Sequence, residues 1–171
     1  LLESGQKPDE PTDGGLTALW IATQHDHPAC VRTLLRAGAR FALVERPSPS
    51  FMTDWFSVIG SAGARTLDAY FSHGVDPKAR NDKKESFLHL AAESGRADAV
   101  RKLVELGVEA DARDENGATP LMRAALSGQL ESARALLDAK ASVFAHNRWG
   151  RTAKVLAAEK SHADMVELLE K

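Results

Sequence analysis

Apolar residues return along this chain on two scales. Over short stretches they fall three or four positions apart, as in Leu121, Ala124 and Ala125, and again in Ala133, Leu136 and Leu137. That is the spacing of one helical face. On the longer scale the whole pattern recurs. Ser86, Thr119 and Thr152 lie 33 residues apart, and so do Leu103, Leu136 and Leu169. The segments SFLHLAAESGRADAVRKLVELGV, TPLMRAALSGQLESARALLDAKA and TAKVLAAEKSHADMVELLEK read alike. A sustained period of this length marks a stacked array, in which each unit buries its apolar side against its neighbours. It moves the functional question from a reaction to a surface.

Within one unit the pattern predicts helix, turn, helix and extended turn. Thr119 can cap a helix, and Pro120 then takes the first helical position, where its missing N–H costs nothing. Gly128 permits a tight reversal into a second helix. In the preceding unit Val100, Leu103 and Val104 line the second helix, which ends at Leu106-Gly107, with Gly107 suited to a left-handed cap. The polar stretch from Val108 to Gly117 supplies the turn before the next helix.

These residues resemble the ankyrin repeat, with its T-P-L-H-x-A-A, G and L-L-x-x-G-A landmarks. The resemblance covers nearly the whole chain and is strongest from Ser86 to Ala141. Thr17-Ala18-Leu19-Trp20 with Leu34-Leu35-Arg36-Ala37-Gly38-Ala39 marks an earlier unit. Thr53-Asp54-Trp55-Phe56 with Tyr70-Phe71-Ser72-His73-Gly74 marks a divergent second one. Leu1-Leu2-Glu3-Ser4-Gly5 matches the tail of another unit, so the native chain is expected to extend further N-terminally. The expected organisation is one array: a truncated tail at 1–11, repeats at 12–47, 48–80, 81–113 and 114–146, and a C-terminal capping repeat at 147–171. The fold implied is an all-α solenoid of stacked helix-turn-helix units with hairpin-like connecting turns.

Three departures from the pattern stand out. Thr17 to Thr53 spans 36 residues, and the surplus is assigned to LVERPSPSFM at 43–52, where Pro47 and Pro49 forbid helix. Lys140 replaces the usual glycine, so a different helix end is expected there. Lys154 stands where the other units have Leu19, Trp55, Leu88 and Leu121, which suits a terminal repeat whose outer side meets water.

Composition narrows the class further. The chain has 171 residues, 43% hydrophobic and 27% charged, the balance of an ordinary folded domain. Aromatics are sparse at 6% and alanine is abundant, which favours closely apposed helices. A net charge of −2 gives no general attraction to nucleic acid or to an anionic membrane. No apolar run approaches the ~18 residues needed to span a bilayer. Cys30 is the only cysteine, so no internal disulfide forms. It lies near Val31 and Leu34 on a second helix and is expected to be a buried, inert thiol. No signal peptide is visible. Because the chain starts within a repeat, a leader stays open, and a cytoplasmic location is the expectation.

Catalytic constellations are weak. His25-Asp26-His27 offers metal ligands on paper, but it falls at an inter-helix turn with no cysteine or glutamate cluster beside it, so a solvated turn is expected. His73 and Asp76 flank a helix end and suit capping and turn chemistry. No phosphate loop, nucleophile elbow or zinc-protease motif occurs. No catalytic, metal or cofactor-binding residue is expected.

The ankyrin resemblance implies a non-catalytic, monomeric scaffold for protein–protein interaction. Its partner would meet the turn tips and the first helices, which line a concave face. Two other readings stay open: an inhibitor or immunity-type protein that blocks a toxin or enzyme, and a regulatory or targeting module of a longer protein. Projected onto this chain, the fifth unit's turn offers His146, Arg148, Trp149 and Arg151. The fourth offers Arg113, Glu115 and Asn116, and the third Asp82, Lys83 and Glu85. The exposed ends of the first helices add Gln24, His25, Glu93, Ser94, Leu126, Ser127, Glu159 and Lys160.

Trp149 is the sharpest of these, because tryptophan and arginine are enriched among interface hot spots. The alternative is that its ring folds back over the neighbouring hairpin. A second signal is the row holding the family's bracing histidine, occupied here by Trp20, Phe56, His89, Met122 and Val155. Only His89 can brace neighbouring turns by hydrogen bonds. Trp20 and Phe56 are expected to touch across the stack, either as core packing or as an apolar pocket extended by Phe51 and Met52. The 43–52 loop itself is either functional or a tolerated insertion.

Overall fold

Thr17, Thr119 and Thr152 stand in extended backbone just ahead of a helix, and each hydroxyl accepts a bond from the third N–H that follows: Trp20 at 3.2 Å, Met122 at 3.4 Å and Val155 at 3.4 Å. Each bond satisfies one of the donors that a helix start leaves open. These caps recur through a computed structural model that describes residues 8–11, 16–40 and 55–170. The expected sites Phe51 and Met52, and the 43–52 loop, lie outside the described residues. All ten regular elements among the described residues are α-helices. They fall into two compact units, Leu1–Val75 and Asp76–Lys171.

The first unit holds α1 (Ala18–Gln24), α2 (Pro28–Arg36), α3 (Trp55–Gly60) and α4 (Ala64–Phe71). Its core gathers Leu19, Trp20, Val31, Leu35, Leu67 and Tyr70. Burial pushes the Tyr70 phenol up to about 12, although its bond with the Thr23 hydroxyl acts the other way. Asp26 sits in the left-handed region at φ 52°. Its Oδ1 accepts from the Gly63 N–H at 3.0 Å and from the Thr66 hydroxyl at 2.7 Å. The His25-Asp26-His27 turn is therefore more than a solvated connection: its carboxylate anchors the start of α4.

One expectation in this unit needs correction, and one ring contact is new. Cys30 is exposed, not buried. The face of α2 that packs inward carries Val31 and Leu35, four positions apart, and Cys30 lies one step behind it on the solvent flank. Trp20 meets Trp55, edge-on at 4.8 Å between centroids.

The second unit holds α5 (Phe87–Glu93), α6 (Ala97–Glu105), α7 (Pro120–Leu126), α8 (Leu130–Asp138), α9 (Ala153–Glu159) and α10 (Ala163–Leu168). Helices α5, α7 and α9 stack side by side as one layer, and α6, α8 and α10 form a second. Ala91, Ala92, Ala124, Ala125 and Ala157 are fully buried between helices, where a larger side chain would hold the layers apart. Leu88, Leu103, Leu121, Met122, Leu136 and Met165 fill the remaining core. Burying each such side chain is worth about 1.5–3 kcal/mol.

The helix ends repeat as faithfully as the core. After α6, Gly107 takes φ 76°, its N–H bonds the Val104 carbonyl and the Val108 N–H bonds Leu103. After α8, Lys140 takes φ 64°, its N–H bonds Leu137 and the Ala141 N–H bonds Leu136. The lysine thus makes the same end as the glycine, against the expected difference. The hydrogen bonds of the cap hold it in a conformation that a β-carbon disfavours. Lys154 on α9 is half-exposed and pairs with Glu170 at 3.0 Å.

Candidate functional site

Three connecting turns of the second unit are built on one plan. Asn81, Asp114 and Asn147 occupy the same repeat position, and in each the side-chain Oδ1 accepts two backbone bonds. Asn81 takes Lys83 and Glu85 at 3.1 and 2.9 Å, Asp114 takes Asn116 and Ala118 at 2.8 and 2.9 Å, and Asn147 takes Trp149 and Arg151 at 3.0 Å each. The short polar side chain mimics a backbone turn and fixes the tip. Lys84, Gly117 and Gly150 then complete the reversal at positive φ.

The tips are also tied to one another. The Glu115 N–H donates to the Lys83 carbonyl at 2.9 Å, and the Arg148 N–H donates to the Asn116 carbonyl at 3.0 Å. A second tie runs parallel to the first. Arg80 Nη1 donates to the Arg113 carbonyl at 3.0 Å, and Arg113 Nη1 donates to the His146 carbonyl at 2.8 Å and to Gly117 at 3.2 Å. Arg80, Arg113 and His146 are again one repeat position. The result is a braced row whose side chains point outward from a preset backbone.

Beneath the tips lies a buried polar cluster. His89 Nε2 meets the Ala118 carbonyl at 3.1 Å. A carbonyl can only accept, so Nε2 carries the proton and Nδ1 accepts from the Ser86 N–H at 3.2 Å and from its hydroxyl at 2.9 Å. Burial holds this imidazole below the usual histidine range, against the pull of the Ala118 bond and of Asp114 and Glu85; Arg123 adds to the lowering. This is the bracing expected of His89. Arg123 is the member that sequence reasoning missed. Its Nη2 reaches Glu85 Oε1 at 2.6 Å and Asp114 Oδ2 at 2.8 Å, and its Nη1 lies 3.4 Å from Glu93. Burial alone would lower its pKa, but the Asp114 bond and the Glu93, Glu85 and Asp114 charges together raise it.

The expected contact residues separate accordingly. Lys83, Arg113, Glu115, His146, Arg148, Trp149 and Arg151 are exposed, and Asn116 is half-buried. Trp149 is 58% exposed, and the Arg148 guanidinium lies 4.4 Å over its ring. Arg151 is paired with Glu159 at 3.0 Å. Glu85 is not a surface group: it is buried, paired with Arg123 and bonded by Asn81 Nδ2 at 2.8 Å. In the other unit Trp20 is only 5% exposed and Phe56 is half-buried. Trp20 therefore belongs to the core. Phe144, in the same connecting segment as Trp149, is 85% exposed and was missed, since its repeat position is polar elsewhere, as at Lys78 and Asp111.

Residues 59–147 match the family model of ankyrin repeats in three copies, and residues 14–44 match that of the single ankyrin repeat. The chain belongs to the ankyrin-repeat family. Repeats of this family are generally modules of protein–protein interaction. A search of curated proteins finds no match. Among the described residues, no helix is long and apolar enough to cross a membrane.

Proposed function

We propose that this chain is a non-catalytic recognition scaffold whose protein partner seats on the turn tips around 80–84, 113–117 and 146–151. The observation that carries the reading is Trp149: a large ring, 58% exposed, on a tip whose backbone is already held by Asn147. Such a ring supplies contact area with little left to order on binding, and that surplus appears as affinity. Its stacked arginine adds a planar donor beside an apolar face. Arg113 and His146 extend the surface along the brace, and Lys83 and Asn116 continue the row of Trp149 at the earlier tips. The braced surface of the tips favours them over the 43–52 loop.

Hydrogen exchange tests the placement. The immobilised chain captures its partner from the native extract, and the purified pair is compared with the free chain. Amides of 146–151 and 113–117 slow on binding if the tips form the contact. Protection confined to α6, α8 and α10 would place the partner on the other layer and refute the reading.

A further inference from the structure

We infer that the partner presents an acidic, extended segment to these tips. This rests on the tip reading above and adds the chemistry of what binds there. Across 80–84, 113–117 and 146–150 stand Arg80, Lys83, Lys84, Arg113 and Arg148, against Asp82, Asp114 and Glu115. Asp114 is buried and faces Arg123, so it does not offset the cations outside. A chain of net charge −2 thus carries a positive ridge on its most exposed turns.

Two other arginines behave in the opposite way. Arg123 is held by Glu85, Glu93 and Asp114, and Arg151 by Glu159. Their charge is answered within the fold. Lys83, Lys84, Arg113 and Arg148 are exposed and have no carboxylate partner among the described residues; only Arg80 is near one, Glu109 at 3.9 Å. Arg113 gives one guanidinium nitrogen to backbone carbonyls, which orients the group without neutralising it. Arg148 is likewise oriented by the Trp149 face. Fixed, unpaired guanidinium groups are suited to bidentate carboxylate recognition.

The geometry also selects the form of the segment. Successive repeats are separated by about 8–10 Å, the distance between packed helices. A segment extended in the polyproline II form advances about 3.1 Å per residue with about three residues per turn, so every third side chain faces the same way and meets a successive tip. Acidic residues at i and i+3, with an apolar side chain placed for Trp149, fit this ridge. Nucleic acid is the less suitable occupant, because Asp82 and Glu115 interrupt the cations where a phosphate backbone would run.

A selection from a random twelve-residue display library on the immobilised chain tests the inference. Enriched peptides are then measured by fluorescence anisotropy in low and high salt, with a twelve-nucleotide oligothymidine as a second probe. The expected peptides carry net negative charge with acids three apart. Their affinity falls about tenfold in the Lys83→Ala/Lys84→Ala/Arg148→Ala variant and in 0.5 M salt. Enriched peptides that are neutral or basic, yet lose affinity in Trp149→Ala, overturn the acidic inference and leave the tip reading standing. Peptides indifferent to both variants, or no enrichment at all, overturn both. Oligothymidine binding tighter than any peptide overturns the inference in favour of nucleic acid.

Discussion

Arg123 Nη2 lies 2.6 Å from Glu85 Oε1, so the inner helix of one repeat is tied to the turn of the repeat before it. The same nitrogen holds Asp114, whose own Oδ1 shapes the next tip. One guanidinium therefore supports two turns of the candidate surface without belonging to it. Replacing Arg123 by Ala leaves two buried carboxylates facing each other, and removing one partner of a buried pair costs about 3 kcal/mol. Glu93→Ala removes only the half-exposed partner and costs under about 0.5 kcal/mol. Urea unfolding of both variants checks the contrast, and equal losses would remove the cluster from the account.

The His89 imidazole makes the same region sensitive to acid. Its folded-state pKa lies below the value of the unfolded chain, so at pH below about 6.5 the unfolded chain takes up a proton that the folded chain resists. Stability contributed by the neutral ring is complete above that pH and falls as pH drops toward the folded value. Protonating Nδ1 would also turn an acceptor for Ser86 into a donor. His89→Gln keeps one donor and one acceptor without titrating. Thermal melts between pH 7.5 and 5.5 therefore fall less steeply in His89→Gln than in the parent chain; identical slopes would show that other groups set the acid response.

Ser132 is fully buried on α8, and its hydroxyl has no hydrogen-bond partner among the described residues. The equivalent position on α6 is Ala99, which is also fully buried. Ser132→Ala deletes an unpaired polar atom and improves helix propensity, so it stabilises by up to about 1 kcal/mol. Measured destabilisation beyond experimental error would mean that the hydroxyl has a partner.

Lys140 holds a left-handed conformation that glycine enters freely. Lys140→Gly is expected to stabilise by about 0.5–1 kcal/mol, the relief of a β-carbon in that region less the entropy glycine loses on folding. Gly107→Ala, the reverse change at the matching helix end, costs about 1 kcal/mol. The pair of denaturation curves should move in opposite directions.

The helices, their caps and the helix ends were legible in the sequence because each depends on residues within four or five positions. His89 was legible through its repeat position, which the resemblance marks for a bracing histidine, although its bond to Ala118 spans 29 residues. Arg123 was not, because Glu85 lies 38 residues away and a charged residue on a helix reads as solvent-facing. One signal was present: Arg123 shares its row with Leu90 and Leu156, both buried. The contact between Trp20 and Trp55 escaped because the two rings do not share a repeat row: Trp55 aligns with Leu19. Lys140 misled because the glycine landmark was read as a requirement, whereas the bonds of the cap can hold another residue there.

Trp149 carries the central claim, and it is separable from the fold. The affinity of the captured partner for Trp149→Ala, measured by isothermal titration alongside a thermal melt, tests it most directly. The account predicts a loss of about 2 kcal/mol or more in binding, roughly thirtyfold, with an unchanged melt. An unchanged affinity in a variant that melts like the parent would contradict it.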